Sequence, residues 1–224
     1  MTGSSVEHLA RELFDPIAPT YERWARFLGL GQDARWRRTM VAGLALRPRG
    51  SVLDVAAGTG SITRLLERRG QKVTALDLSP EMLRQHPGLQ RVQARADALP
   101  FLDGAFDSLT FGYLLRYVDE PVACLEELRR VVRPGGMLGM VEFGMPTGIW
   151  RPAWLFYAGK LLPWAGRLIS PSWHRVGRFL PRSIEEFHRR HPDLIAMWRQ
   201  AGLVDIKLRK MTMGSGLVMW GRNP

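Results

Sequence analysis

Short apolar runs alternate along this chain with longer stretches in which apolar positions recur at helical spacing. The run from Val52 closes on Asp54 and gives way to a small-residue turn containing Gly58 and Gly60. A second run, Gln71 to Leu76, ends at Asp77, and a third, Arg91 to Ala94, leads into Ala96-Asp97-Ala98. Phe106 to Phe111 and Met137 to Phe143 supply a fourth and a fifth. Near-continuous apolar runs of this length suit strands covered on both faces. Helices are expected after Gly60, from Pro80 onward, and over Glu120 to Val132. Ser79 suits an N-cap, Pro80 the first helical position and Glu81 the positive end of the helix dipole. Two last runs, Leu203 to Leu208 and Leu217 to Trp220, have no helix between them. They read as a terminal hairpin looped around Gly214 and Gly216.

The expected fold class is therefore α/β: a doubly wound, mostly parallel seven-stranded sheet with a C-terminal antiparallel strand. A length of 224 residues suits one well-cored domain. Within a single domain over 1–224, residues 1–48 are expected to form an N-terminal helical cap and 149–190 a helical lid insertion. Sheets of this kind bind ligands at the carboxyl ends of their strands, where Gly58, Asp77, Asp97 and Phe111 to Arg116 would converge.

The stretch VLDVAAGTGS, Val52 to Ser61, carries the chemistry. A strand, a tight glycine turn and a helix N-terminus aim backbone N–H groups at a ligand, and glycine lets that ligand approach without a Cβ in the way. A dinucleotide fingerprint would ask for a further Gly at position 63, where this chain has Thr63. Asp77, at the end of the second run, can accept two hydrogen bonds from a ribose diol. Three acidic positions after three successive strands make a stronger signal than any one of them, since each alone suits a turn.

The segment from Ile149 to Pro181 holds Trp150, Trp154, Trp164 and Trp173. On one helix, Trp154, Tyr157, Leu161, Trp164 and Leu168 would share a face flanked by Arg151, Lys160 and Arg167, although Pro163 should kink or divide it. Two readings stand. One is an interfacial helix that admits a lipid chain and makes peripheral contact with an anionic membrane; the other is a lid packed on the core.

Composition narrows the setting. The single Cys124 excludes an internal disulfide and a cysteine-based zinc site, and it suits a buried apolar role in a reducing compartment. Met1 to Ala10 lacks the apolar core of a signal peptide, and no uncharged apolar stretch is long enough to span a membrane. A cytoplasmic location, peripheral at the inner face of the cell membrane, is the expectation. The net charge of +11 favours anionic partners. No RNA-reading motif accompanies it, so no nucleic-acid partner is expected. No His or carboxylate pair shows metal-ligand spacing, and no metal is expected. His174, His188 and His191 lie outside the strand ends and are expected at the surface.

The Asp-x-x-x-Gly-x-Gly turn resembles motif I of class I S-adenosylmethionine (SAM) methyltransferases, which have a Rossmann-like fold. More specifically, the chain resembles the family that C-methylates the quinone ring in menaquinone and ubiquinone biosynthesis. The resemblance rests on Phe14-Asp15-Pro16-Ile17-Ala18-Pro19-Thr20-Tyr21, on Leu28 to Arg38, on Ala96 to Phe101 and on Leu115-Arg116. It continues through Arg133-Pro134-Gly135-Gly136 to Glu142-Phe143, Tyr157 to Ser170 and Ser183-Ile184. Two departures stand out: Tyr117 replaces an Asn after the fourth strand, and the family's Gly-Tyr-Lys ending is replaced by Trp220-Gly221-Arg222-Asn223-Pro224.

The resemblance implies SAM as cofactor, held by Asp54, Ala56, Gly58, Gly60, Asp77, Leu78, Asp97 and Ala98, with Asp97 accepting from the adenine amino group. It implies a lipophilic small-molecule acceptor. Arg116 and Tyr117 are the candidate catalytic residues, and Tyr21, Phe111, Tyr113 and Trp154 the candidate acceptor-binding ones. Methyl transfer from a sulfonium is an in-line displacement, so alignment supplies much of the rate. A hydroquinone carbon becomes nucleophilic as its neighbouring hydroxyl ionises. Arg116 stays protonated and would stabilise the phenolate, directly or through water; the alternative is a structural Arg paired with Asp119. Asp15, Tyr21, Tyr117 and Glu142 are the candidate bases. The functional reading is a SAM-dependent C-methyltransferase of a demethylmenaquinol-like isoprenoid quinol. The alternatives are the same chemistry on a phospholipid amine or small natural-product phenol, or a non-catalytic SAM-binding or RNA-associated protein.

Overall fold

The computed structural model describes residues 5–224. Ahead of the sheet lie three helices, α1 (Ser5–Phe14), α2 (Tyr21–Leu28) and α3 (Gln32–Ala42), with a 3-10 turn over Asp15–Thr20 between the first two. The alternating half follows as β1 (Ser51–Val55), α4 (Ser61–Glu67), β2 (Lys72–Asp77), α5 (Pro80–Gln85), β3 (Arg91–Gln93) and β4 (Phe106–Gly112). Next come α6 (Pro121–Arg130) and β5 (Val132–Phe143). The lid region holds α7 (Arg151–Phe156), α8 (Leu162–Ile169) and the long α9 (Pro171–Arg190). The chain closes with α10 (Leu194–Gln200), β6 (Val204–Met211) and β7 (Gly216–Arg222).

The seven strands lie in the order β3-β2-β1-β4-β5-β7-β6. β1 to β5 pair in parallel, while β7 runs antiparallel to both β5 and β6. Strand order reverses at β1, between β2 and β4, which opens a crevice at their carboxyl ends. Ser79 caps α5 as its pattern predicts, accepting a hydrogen bond from the Met82 N–H at 3.0 Å.

The fifth strand is longer than the apolar run suggests. Residues 133–136 stay within β5, across a register shift against β4 and with Gly135 left-handed at φ 76°. Asn223 makes this possible: its side-chain amide donates to the Val132 carbonyl at 2.6 Å, and its backbone exchanges hydrogen bonds with Gly135 and Gly136. The partner that holds this bulged stretch thus lies about ninety residues further along the chain.

Two apolar layers sandwich the sheet. One packs α6 and α10 against β4 and β5, with Phe111 stacked on the fully buried Trp198. The other packs α3 and α4 on the opposite face, where the Trp220 indole donates to the Met40 carbonyl at 2.8 Å. A third, smaller cluster joins Leu13 and Ile17 to Trp173 and Val176, which fixes the N-terminal helices against α9.

The lid helix is neither straight nor broken at Pro163. Residues Tyr157–Leu161 form a π-turn in which the Leu162 N–H reaches the Tyr157 carbonyl, five residues back. Proline has no N–H and its ring crowds the carbonyl four residues earlier, and the wider turn just ahead relieves that conflict. Each residue of a wide turn adds less rotation than one in an α-helix, so the predicted stripe loses register. Trp154, Tyr157 and Leu162 face inward, whereas Leu161, Trp164 and Leu168 face outward. α8 and α9 approach closely at Gly166, where an added Cβ would come within 2.6 Å of the Trp173 carbonyl oxygen.

The Trp198 indole N–H is buried without a hydrogen-bond partner among the described residues. Trp198→Phe removes an unpaired donor along with some volume, whereas Trp198→Ala leaves a cavity. In urea denaturation the alanine variant should lose about 3–5 kcal/mol, and the phenylalanine variant less than half of that.

Candidate active site

At the crevice, the backbone after β1 turns through left-handed conformations at Ala56 (φ 53°), Gly58 (φ 55°) and Gly60 (φ 86°). For Ala56 this is a sparsely populated conformation, held by its surroundings. The main restraint is Asp54. Its carboxylate is fully buried and accepts from Thr63 of α4 at 2.6 Å and from Thr110 of β4 at 2.8 Å. Burial pushes its pKa up to about 6, against the opposing pull of those two hydroxyls. Asp54 therefore lies beneath the turn and braces it, and it does not line the ligand cavity.

Asp77 does line it. One carboxylate oxygen accepts from the Gly58 N–H at 2.7 Å and the other from the Ser79 N–H at 2.8 Å. Burial raises its pKa, while those backbone donors work against the rise. A cavity of about 140 Å³ opens here, walled by Ala56, Gly58, Asp77, Leu78, Ala94 and Ala96 and roofed by Phe14 and Tyr21 from the N-terminal helices. The roof is pinned from both sides. Glu22 accepts from Thr59 at 2.8 Å and pairs with Arg64 at 2.5 Å, and Asp15 accepts from the Ser79 hydroxyl.

Of the residues expected to hold SAM, the structure places Ala56, Gly58, Asp77 and Leu78 in the cavity wall. Gly60 sits outside it, as the left-handed N-cap of α4, packed so closely on His86 that a Cβ would lie 2.9 Å from the ring. Asp97 and Ala98 also lie outside. The Asp97 carboxylate is held by Arg95 at 2.6 Å, an ion pair that the local spacing did not reveal. The residues present suit SAM. A diol-accepting carboxylate lies between small and apolar side chains, on a turn where Gly58 leaves room for a ligand.

A second cavity, of about 280 Å³, lies between the N-terminal helices, the lid and α9. The two cavities share Phe14, Tyr21, Arg37, Tyr113 and Tyr117, which mark their junction. Beyond it the second cavity is mostly apolar, with Trp154, Leu162, Trp173, Val176 and Leu180 in its wall. Of the residues expected to bind the acceptor, Tyr21, Tyr113 and Trp154 line this second cavity. Phe111 does not. It lies at the core end of the alternation along β4, buried against Trp198, and reaches neither cavity.

Arg116 lines the second cavity, but its guanidinium is committed to the protein. It donates to Glu142 at 3.0 Å and to Ser183 at 2.7 Å, with its side chain 1% exposed. Burial disfavours its charge, and Glu142 outweighs burial and holds its pKa above the ordinary range. The expected alternative partner, Asp119, is replaced by this buried pair. Tyr117 packs beside Arg116 and under Phe179, and burial raises its pKa. Burial likewise pushes Tyr21 up to about 12.

Two residues not singled out from the sequence complete the junction. Arg37 and Asp33, one turn apart on α3, are hydrogen-bonded at 2.9 Å, and the Tyr113 hydroxyl donates to the same Asp33 oxygen. Tyr113 itself adopts φ 58°, rare for an aromatic residue. Both lie in the Leu28 to Arg38 segment that carries the resemblance; beyond that their i, i+4 spacing is the local signal, and it marks surface helices just as well. Elsewhere, burial pushes the Cys124 thiol up to about 12. His174 and His188 are half-buried rather than at the surface, hydrogen-bonded to the carbonyls of Pro163 and Phe143 at 2.9 Å.

Known proteins bear on this geometry. The sequence model of the ubiE/COQ5 methyltransferase family matches residues 1–222. The chain is 36% identical over 220 residues to the ubiquinone/menaquinone biosynthesis C-methyltransferase UbiE of Desulfotalea psychrophila, covering 94% of this chain and 88% of that one. It is 37% identical over 208 residues to the demethylmenaquinone methyltransferase of Renibacterium salmoninarum, covering 90% and 86%. Among solved structures, a SAM-dependent methyltransferase from Thermotoga maritima superposes with a TM-score of 0.67 at 17% identity, over 98% of this chain and all of that one. Phosphoethanolamine N-methyltransferase 2 of Haemonchus contortus, in complex with SAM, gives 0.67 at 12% identity, over 99% of this chain and 60% of that one. The last two show the fold.

Two consequences can be measured. In the unfolded chain Asp54 ionises near pH 4 and in the folded protein near 6, so the folded state loses about 3 kcal/mol from this group as pH rises through that window. In Asp54→Asn that loss is absent, and thermal melts should favour the variant increasingly between pH 4 and pH 7. Arg116→Ala leaves Glu142 buried and unpaired and should lower stability by about 3–5 kcal/mol. Adding Glu142→Gln should restore part of it in the same denaturation assay.

Proposed function

Because this chain belongs to the ubiE/COQ5 methyltransferase family, we propose that it transfers the methyl group of SAM to a ring carbon of a demethylmenaquinol-like isoprenoid quinol. It is a SAM-dependent methyltransferase, and its relatives are named for C-methylation in ubiquinone and menaquinone biosynthesis. The observation that carries the acceptor class is the second cavity, an apolar chamber that meets the smaller cavity at an aromatic and arginine-lined junction. A fused ring with a hydroxyl fits such a junction, and a prenyl chain fits the apolar remainder.

SAM supplies an electrophilic methyl on a sulfonium. In the proposed arrangement Asp77 holds the ribose diol, the Ala56 to Gly58 turn and Leu78 shape the pocket, and Tyr21 and Phe14 roof the reacting end. Tyr113, Tyr117 and Trp154 orient the acceptor ring. Arg37 and Arg116 place fixed positive charge where a phenolate develops. Burial keeps the three tyrosines protonated, so they act as donors and packing surfaces rather than bases. Glu142 pairs with Arg116 and Asp15 accepts from Ser79, and neither carboxylate lines either cavity, which takes both out of the base role considered from sequence.

The proposal extends to a membrane contact. No helix among the described residues is long and apolar enough to cross a bilayer. Among the described residues, nine of the thirteen exposed large apolar side chains nevertheless lie on the α2 end and the lid: Phe27, Leu30, Ile149, Trp150, Leu155, Phe156, Leu161, Trp164 and Leu168. Arg26, Arg151, Lys160 and Arg167 stand exposed among them. An apolar surface with basic neighbours suits the inner face of an anionic membrane, where a quinol resides.

Anaerobic methyl transfer from labelled SAM to reduced demethylmenaquinone in liposomes tests the acceptor, with methylated menaquinone expected. No product, despite SAM binding seen by calorimetry, would refute it. Flotation with acidic liposomes tests the surface. Recovery in the lipid fraction should fall with salt and be lost in a Phe156→Glu, Trp164→Glu double variant that still binds SAM. Equal recovery with and without liposomes at low salt would remove the membrane contact.

A further inference from the structure

Methylating a phenolic ring carbon requires a group that takes the hydroxyl proton, and none of the bases considered from sequence is free to do so. The three junction tyrosines are buried phenols, Arg37 and Arg116 are permanently charged, and Glu142 lies outside the cavity wall. Among the described residues, one carboxylate lines the acceptor cavity: Asp33, in the first turn of α3. Its Oδ1 accepts from both Arg37 and Tyr113, while Oδ2 takes no hydrogen bond from any described residue, and the side chain is 23% exposed.

We propose that Asp33 is the catalytic proton acceptor, with Oδ2 receiving the hydroxyl hydrogen of the ring substrate. The inference rests on the phenolic acceptor proposed above. As the O–H bond breaks, its proton goes to Oδ2 and its electron pair shifts into the ring. The ring carbon beside the hydroxyl-bearing one then forms a bond to the methyl carbon as the carbon–sulfur bond breaks, and that pair stays on sulfur. The methylated carbon sheds its remaining hydrogen as a proton to bulk water, and Asp33 returns its own to the oxygen, restoring the aromatic quinol. The net change is one methyl gained, one ring hydrogen lost and one proton released.

Tyr113 and Arg37 are positioning residues in this scheme. Both engage Oδ1 and leave Oδ2 available, and Arg37 adds positive charge beside the developing phenolate. The left-handed backbone at Tyr113 directs its ring from the end of β4 toward α3, eighty residues earlier in the chain. Such a strained conformation at a cavity junction suits a geometric requirement of the site.

The test pairs turnover with a binding readout that needs no methyl donor. Wild type should bind a prenylated naphthol about ten- to a hundredfold more tightly than its methyl ether, as a hydrogen bond to a charged acceptor implies. Asp33→Asn preserves shape and the Oδ1 contacts but removes the charge. It should lose most of that preference and about 10²- to 10⁴-fold in methyl transfer, with SAM affinity unchanged. Tyr113→Phe, which keeps the carboxylate, should retain the preference for the hydroxyl. Turnover in Asp33→Asn within threefold of wild type would overturn the assignment. So would an equal loss of affinity for naphthol and ether, which would mean a collapsed cavity. If wild type binds the naphthol with the expected preference but methylates no quinol, the acceptor reading falls while Asp33 keeps its hydrogen-bonding role.

Discussion

The buried carboxylate of Asp54 ties together the elements that shape the ligand end of the sheet. It joins β1 to β4 through Thr110 and to α4 through Thr63, and so fixes the turn between β1 and α4 in its left-handed path. Burial opposes its charge, so those two hydroxyls must be present in the folded state. With the turn fixed, the Gly58 N–H reaches Asp77, and Asp77 in turn holds the start of α5 through Ser79. One unfavourable burial thereby organises three strand ends.

Closure is supplied from outside the sheet. The N-terminal helices fold back over the crevice and are held by polar ties at Glu22 and Asp15 and by the apolar cluster with α9. The Tyr157 hydroxyl donates to the Leu28 carbonyl, which joins the lid to the same roof. The second cavity is therefore walled by segments from opposite ends of the chain, Phe14 to Arg37 on one side and Thr212 and Ser215 on the other. Tyr21, Arg37, Tyr113 and Tyr117 stand in the wall shared by the two cavities, where the proposed function brings donor and acceptor together. Enclosure by long-range contacts also strengthens every charge at the junction, because water is displaced from around it.

The strands, their order of appearance and Asp77 were legible because each rests on a local signal: an apolar run, a turn and a capped helix within about ten residues. Asp54 and Asp77 looked alike for the same reason, since both follow an apolar run. Only packing shows that one points under the turn and the other into the cavity. Phe111 and Tyr113 illustrate the limit again. They stand two residues apart, but the chain leaves the strand between them, and the left-handed step at Tyr113 sends one side chain to the core and the other to the site. The lid stripe failed for a different reason, because a π-turn ahead of Pro163 changed the helical period on which the stripe was drawn.

The sequence by itself determined the α/β alternation, the glycine turn, the strand-end acids and the apolar lid. These depend on local dihedral preference and on the period of burial, which neighbouring residues set. Only the tertiary structure decided that Arg116 pairs with Glu142 and that Asp33 meets Tyr113. It also decided that Asn223 holds the irregular start of β5 and that Leu161, Trp164 and Leu168 of the lid face outward. Those outcomes join residues 26 to 91 positions apart, or turn on one added residue in a helix. No local spacing encodes which partner a buried polar group will find; the requirement that it find one selects the partner once the chain has packed.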